Sequence, residues 1–111
     1  MPYDQELAAR IRELISGEPG LSEKKMFGGL AFLISGNMAI AASGHGGLMV
    51  RADPAESDAL VTTTAARLVE MRGRPMPGWL YLEAADVADR NELEAWVDRG
   101  ASFARSLPAK R

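Results

Sequence analysis

The chain has few side chains that could perform covalent chemistry. It contains no cysteine and a single histidine, His45, which lies in a glycine-rich stretch at residues 43–47. A histidine general base needs a nucleophile and an orienting partner, and Ser43, two residues away in a turn, does not form such a triad. One histidine also leaves only carboxylates as metal ligands, and none of them follows a calcium-loop pattern. We therefore expect no catalytic residue, no metal site and no cofactor.

The basic side chains are the better candidates for a contact site, because they lie in two stretches that are almost free of acids. Residues 24–52 contain no acid, and residues 62–82 contain Glu70 alone, although the net charge of the chain is −2. The ordinary interpretation is solvated surface charge. The alternative is a binding face for a phosphate backbone or an acidic partner. The candidate contact residues are Lys24, Lys25, Arg51, Arg67, Arg72 and Arg74.

The first of these stretches predicts an antiparallel meander of β-strands. Residues 30–34 are a short apolar run between turn residues, typical of a strand that is covered on both faces. Gly36 and Asn37 predict a tight turn into a second strand at residues 38–42. A looser glycine turn then leads to a third strand at residues 48–51.

Two further predictions concern the start of the sheet and its packing. Residues 24–27 are a candidate for one more strand, and Gly28 and Gly29 predict a β-bulge after it, since glycine within a strand pattern often marks one. Methionine fills irregular gaps between other apolar side chains. We therefore predict a core position for Met26, Met38, Met49, Met71 and Met76.

Amphipathic patterns predict helices near both ends of the chain. Asp4 is a suitable N-cap for a first helix that ends near Gly17. Asp89 begins the strongest helical pattern in the chain, whose apolar residues recur at helical intervals. Its large side chains, Trp96 and Phe103, are predicted to anchor this helix in the core.

The middle of the chain predicts one short helix and two strands. The helix covers residues 54–61, and the three threonines at 62–64 favour extended chain because β-branched residues lose rotamer freedom in a helix. Strands are predicted at residues 68–71 and 79–82. Residues 72–78 contain two prolines and two glycines and are predicted to form a loop, which is also a candidate contact site.

Five segments together resemble the TfoX N-terminal domain family, over nearly the whole chain. They are MFGGLAF at 26–32, GNM at 36–38, LMVR at 48–51, GRPMPGW at 73–79 and the residues from Trp96 to Pro108. The resemblance implies an α+β fold, with an antiparallel sheet packed by N-terminal and C-terminal helices. It also implies relation to a regulator of natural competence, and it assigns no catalytic residue. That regulator carries a further C-terminal domain, whereas residues 1–111 match its first domain alone.

The composition favours a small soluble protein. A chain of 111 residues suits one domain, and no apolar run approaches the roughly 18 residues that a membrane span requires. The amino terminus contains acids and no apolar signal core, so we expect a cytoplasmic protein that does not bind membranes.

Three functions remain open at this point. The first is a non-enzymatic regulatory or interaction domain that contacts protein partners through its sheet and residues 72–78. The second is a nucleic-acid-binding module that uses the six basic residues, which the net charge does not favour. The third, a small-molecule or enzymatic role, would need a deep pocket that holds His45 or the arginines. A homodimer through a sheet edge or the C-terminal helix also remains open.

Overall fold

The computed structural model describes residues 3–26 and 28–109 and shows a six-stranded antiparallel sheet with three α-helices. The predicted α+β class, a sheet with N-terminal and C-terminal helices, is confirmed. The strands are β1 (Leu21–Met26), β2 (Gly29–Ile34), β3 (Asn37–Ala42), β4 (Leu48–Arg51), β5 (Arg67–Met71) and β6 (Arg74–Leu82). The helices are α1 (Gln5–Ile15), α2 (Ser57–Thr63) and α3 (Arg90–Ser106).

The first four strands form the predicted meander, and the last two are added out of order. The order across the sheet is β1-β2-β3-β4-β6-β5. After β4 the chain leaves the sheet through a 3-10 turn, Pro54–Glu56, and α2. It returns as β5 at the far edge, and β6 then runs back between β5 and β4. The two edge strands are therefore β1 and β5.

The core lies between the sheet and the helices. Phe32 of β2 and Val50 of β4 are fully buried there, and Trp96 of α3 is only 4% exposed, as predicted. Gly100 allows α3 to approach the sheet closely, because a Cβ at this position would collide with the carbonyl oxygen of Ala39. The predicted core position of Phe103 is wrong: its side chain is only partly buried and lies outside the core.

The predicted bulge at Gly28 and Gly29 is also wrong. Met26 pairs with Gly29, so Gly28 belongs to the turn between β1 and β2, and Phe27 lies outside the described residues. The sheet has register shifts at two other places, between β5 and β6 and between β2 and β3, and in the second Ala39 is the additional residue. This bulge lies opposite Gly100, where the helix comes nearest to the sheet.

Two other local predictions need correction. The turn between β2 and β3 consists of Ser35 and Gly36, whose φ angles are 51° and 84°, and Asn37 is already the first residue of β3. The three threonines do not all favour extended chain, since α2 continues through Thr63. The hydroxyl of Thr63 donates to the carbonyl four residues earlier at 2.7 Å, which satisfies it inside the helix.

The predicted loop at residues 72–78 is largely a strand. Only Arg72 and Gly73 form the turn, and β6 begins at Arg74 and continues through Pro75 and Pro77. Pro75 is tolerated because its part of β6 pairs with β5 alone, and Pro77 falls in the register shift between β5 and β6, where it has no strand partner. Residues 69–76 therefore form a hairpin that extends past β4, and we call them the hairpin arm.

The helix termini follow the sequence closely. The side chain of Asp4 accepts a hydrogen bond from the Leu7 N–H at 3.0 Å, and that of Asp89 accepts one from the Asn91 N–H at 2.7 Å. Within residues 3–26 and 28–109, we find no helix with the length and apolar character that crossing a membrane requires.

Candidate functional site

The two faces of the sheet differ completely in their surroundings. Phe32, Ile40, Val50 and Leu80 pair in one row, face the helices and are fully buried. The neighbouring row faces the other way, because side chains alternate along each strand. We call this second side the open face. Its residues are Ser22, Lys24, Met26, Ala31, Leu33, Met38, Ala41, Met49, Arg51, Arg67, Val69, Met71, Arg74, Met76, Trp79 and Tyr81.

The open face contains every methionine that the structure describes. The predicted core position of these five methionines is therefore wrong. None is fully buried, and Met71 on the hairpin arm is 51% exposed. One signal in the sequence could have shown this: Met49 alternates with the buried residues Leu48 and Val50. Unbranched, polarizable methionine side chains can adapt to different contact shapes, which makes such a surface suited to binding.

The candidate basic residues lie on both sides of the sheet. The open face carries four of them: Lys24, Arg51, Arg67 and Arg74. Lys25 faces the helix side of β1, and Arg72 lies in the turn of the hairpin arm. Lys24 and Arg67 occupy the two edges of a single row across six strands. At about 4.8 Å per strand, roughly 24 Å separates their backbones.

Arg51 marks the border between the open face and α3. Its guanidinium carbon lies 5.0 Å from the ring centroid of Trp79, its cross-strand partner, and 5.6 Å from that of Phe103. A guanidinium within about 6 Å of an aromatic ring is attracted by the electron-rich face of that ring. Phe103 therefore contributes to this border and not to the core.

Arg67 covers the second aromatic ring of the open face in the same way. Its guanidinium carbon lies 4.9 Å from the ring centroid of Tyr81, and its side chain donates to Glu83 at 2.9 Å. Tyr81 is only 9% exposed. Burial raises the pKa of its hydroxyl, with a smaller contribution from the nearby Glu83 carboxylate. Both aromatic rings of the open face are thus packed against arginines of the same chain.

Most acidic residues lie away from the open face, although Glu83, just after β6, pairs with Arg67 at its border. Among the strand positions of the open face that the structure describes, there is no aspartate or glutamate. A shallow cleft of about 600 Å³ on the helix side includes Asp53, Glu56 and Asp98 in its lining. Arg99 forms an ion pair with Glu56 across it at 3.6 Å. The strand positions of the open face are therefore basic, whereas the helix-side cleft has acids and arginines together.

His45 lies where the sequence placed it, in the turn between β3 and β4, with an exposed side chain. Its backbone N–H donates to the Ser43 hydroxyl at 3.1 Å, so this serine stabilises the turn. Among residues 3–26 and 28–109, no group of three or more histidine, aspartate or glutamate side chains is arranged to hold a metal ion.

Comparison with known protein families matches residues 13–104 to the TfoX N-terminal domain. Comparisons with curated proteins and with solved structures gave no match. The matched residues include all six strands and nearly all of α3. They therefore include the whole open face. The chain belongs to the TfoX N-terminal domain family.

Proposed function

We propose that this chain is a non-enzymatic regulatory interaction domain that binds a protein partner through the open face. One observation carries the proposal: all five described methionines lie on the side of the sheet that none of the three described α-helices covers. Four of them are half-buried and Met71 is exposed, and apolar side chains gathered on one surface of a soluble protein often mark a contact site. The regulatory part of the proposal rests on the family, which is named after a regulator of natural competence.

The arrangement of polarity on the open face supports a protein partner. Methionine and alanine side chains occupy its middle, and basic side chains occupy its edges. Met49 lies in the middle beside the buried Ala31 and Ala41, whereas Lys24 and Arg67 lie on the edge strands. Protein interfaces share this plan, with an apolar centre and a polar, solvent-accessible rim. We propose this contact role in place of enzymatic turnover.

A nucleic-acid-binding module is the second candidate, because four basic residues share a face with Trp79 and Tyr81. Single strands bind along continuous basic grooves and stack their bases on aromatic rings. Here Lys24 and Arg67 lie on opposite edge strands, and Arg51 and Arg67 already cover the rings. Fluorescence anisotropy with labelled single-stranded and duplex DNA at low salt tests this candidate. We expect no binding of either.

Two variants test the proposal in the native cell. Each carries one photo-crosslinking residue, at an open-face position in the first and at a helix-side position in the second. Met49 lies in the middle of the open face, and Glu94 is an exposed residue of α3 on the opposite side. We expect a discrete protein adduct from position 49 and none from position 94. The additional substitution Met38→Glu on the open face should abolish the adduct. Equal adducts at both positions, or none at position 49, would contradict the proposal.

A further inference from the structure

We infer that the open face binds an acidic amphipathic helix of another protein, with the apolar side of that helix on the methionines and its carboxylates on the basic edges. The inference rests on the proposed function and specifies the partner. Its first support is charge. The described strand positions of the open face carry Lys24, Arg51, Arg67 and Arg74 and no acid, and the one acid that pairs with them, Glu83, follows the end of β6. Complementary potentials of this kind select a partner and speed its association.

The width of the open face matches a helix lying along the strands. The backbones of Lys24 on β1 and Arg67 on β5 are roughly 24 Å apart, and their long side chains can narrow the space between the two basic edges. An α-helix with its side chains is about 10–12 Å across. Acidic residues on its two flanks would meet lysine and arginine side chains that reach inward from both edges. A helix would also complete a third layer, since apolar sheet faces are ordinarily buried against another element.

The edges of the sheet favour binding of a helix on the open face over a partner that adds a strand to the sheet. Strand β1 presents a charged run of Glu23, Lys24 and Lys25, all exposed, which is typical of edges that resist pairing with another strand. The other edge strand, β5, carries the exposed charges Arg67 and Glu70, and Pro75 and Pro77 on the free side of β6 lack backbone donors. The face, and not the edge, is therefore the accessible surface.

A second copy of this chain is a poorer occupant of the same face. Two open faces packed on each other about a two-fold axis would bring like charges together, because each carries the same basic residues and no acid at its described strand positions. Packing of one open face on the acidic helix side of another copy would be complementary in charge. Such a head-to-tail contact does not close on itself, and it would appear as open-ended association that grows with concentration.

Two synthetic helical peptides provide the probe for the test. Both carry the same leucine stripe on an 18-residue helix; one has glutamates and the other lysines on both flanks. Binding to the 111-residue chain is measured by fluorescence anisotropy, and the contact surface by NMR of ¹³C-labelled methionine methyl groups. We expect the glutamate peptide to bind at least tenfold more tightly and to shift the resonances of Met26, Met38, Met49, Met71 and Met76. Its affinity should also fall as salt is added.

The variants Lys24→Glu and Lys25→Glu form a matched pair for the charge. The two residues are adjacent and exposed and their substitutions change the net charge equally, but Lys24 is on the open face and Lys25 is on the other side. We expect Lys24→Glu to weaken binding of the glutamate peptide roughly three- to tenfold, and Lys25→Glu to have less than half that effect. Circular dichroism confirms that both variants are folded.

Three results would overturn the inference. They are equal affinity for the two peptides, equal effects of the two lysine substitutions, and no shift of the methionine methyl groups on adding either peptide. Concentration-dependent shifts without any peptide would indicate that a second copy occupies the face. An adduct at position 49 together with any of these results would leave the proposed function standing and remove only the acidic partner. The absence of that adduct would remove the proposed function itself.

Discussion

The guanidinium of Arg51 lies 5.0 Å from the ring centroid of Trp79, directly across from it in the pairing of β4 and β6. The same guanidinium lies 5.6 Å from the ring centroid of Phe103 on α3. Arg51 therefore connects the open face to the helix layer at one end of the sheet. It also occupies a ring face that a ligand would otherwise use.

Replacing Arg51 tests this connection. We expect Arg51→Ala to lower the free energy of unfolding by about 1–2 kcal/mol, since each ring contact is worth about 0.5–1 kcal/mol at a partly exposed site. Arg51→Lys should cause a smaller loss of the free energy of unfolding, because an ammonium group is not planar and cannot stack on an aromatic ring as a guanidinium does. Urea denaturation followed by tryptophan fluorescence measures both. Arg74→Ala, an exposed open-face residue on the hairpin arm, is the control. An equal effect of Arg74→Ala would contradict the role of the rings.

Because α3 lies close to the bulge in β3, a single methyl group added at Gly100 should destabilise the fold. Gly100→Ala should destabilise the fold by about 1–3 kcal/mol, because the new Cβ would collide with the carbonyl oxygen of Ala39. Gly17→Ala is a matched control, since a Cβ at position 17 would meet nothing within 4 Å. Its effect should stay within about 0.5 kcal/mol. Thermal unfolding of the two variants side by side would show whether α3 packs as closely as described.

The ion pair between α1 and β1 predicts how stability changes at low pH. Arg12 donates to both carboxylate oxygens of Glu23, at 2.7 and 2.9 Å, and this hydrogen bonding lowers the pKa of Glu23 below its ordinary 4.5. A carboxyl whose pKa is lower in the folded state stabilises the fold above its unfolded pKa. That stability is lost as the pH falls from about 4.5 through the lower folded value.

Substitution of either partner should therefore reduce the acid sensitivity of the fold. We expect Glu23→Gln to lose less stability than the wild type between pH 6 and pH 3, and Arg12→Gln to behave in the same way. Urea denaturation at the two pH values measures the difference. If the wild type and the variants lose the same free energy of unfolding between pH 6 and pH 3, the ion pair does not contribute to the acid sensitivity of the fold.

Tyr81 predicts the behaviour at high pH. Its pKa is raised above 10.0, chiefly by burial, so the hydroxyl should still be protonated where an ordinary tyrosine has ionised. Because the folded state then holds its proton more tightly than the unfolded state, stability should fall as the pH rises above 10.0. Absorbance near 295 nm follows the ionisation, and Tyr81→Phe identifies its contribution. A Tyr81 signal that titrates at or below pH 10 would contradict the burial described here.

Part of this structure follows from local patterns in the sequence. The apolar run at residues 30–34, the alternation of Trp79 and Tyr81 with Leu80 and Leu82, and the buried Trp96 were all predicted correctly. These features depend on neighbours within a few residues, where periodicity is informative.

The open face did not follow from the sequence. Alternation in a strand such as Leu48–Arg51 divides its side chains between two faces, but it does not tell which face the helices cover. The insertion of β6 between β4 and β5 is a matter of topology, and it determines where Pro75 and Pro77 can be accommodated. The prediction of core positions for the methionines rests on their ability to fill gaps between other apolar side chains. Only the register shows that the helices pack on the branched side chains instead.

Oxidation of the methionines in the folded chain tests the account most directly. Hydrogen peroxide is added to the free chain and to the chain with the partner captured at position 49, and the oxidised fraction of each methionine is read by mass spectrometry. We predict that Met26, Met38, Met49, Met71 and Met76 oxidise while the circular dichroism of the free chain is unchanged. In the captured complex, where the crosslinking residue replaces Met49, the partner should protect the other four. Oxidation only after unfolding, or rates that the partner leaves unchanged, would contradict an uncovered face that serves as the binding surface.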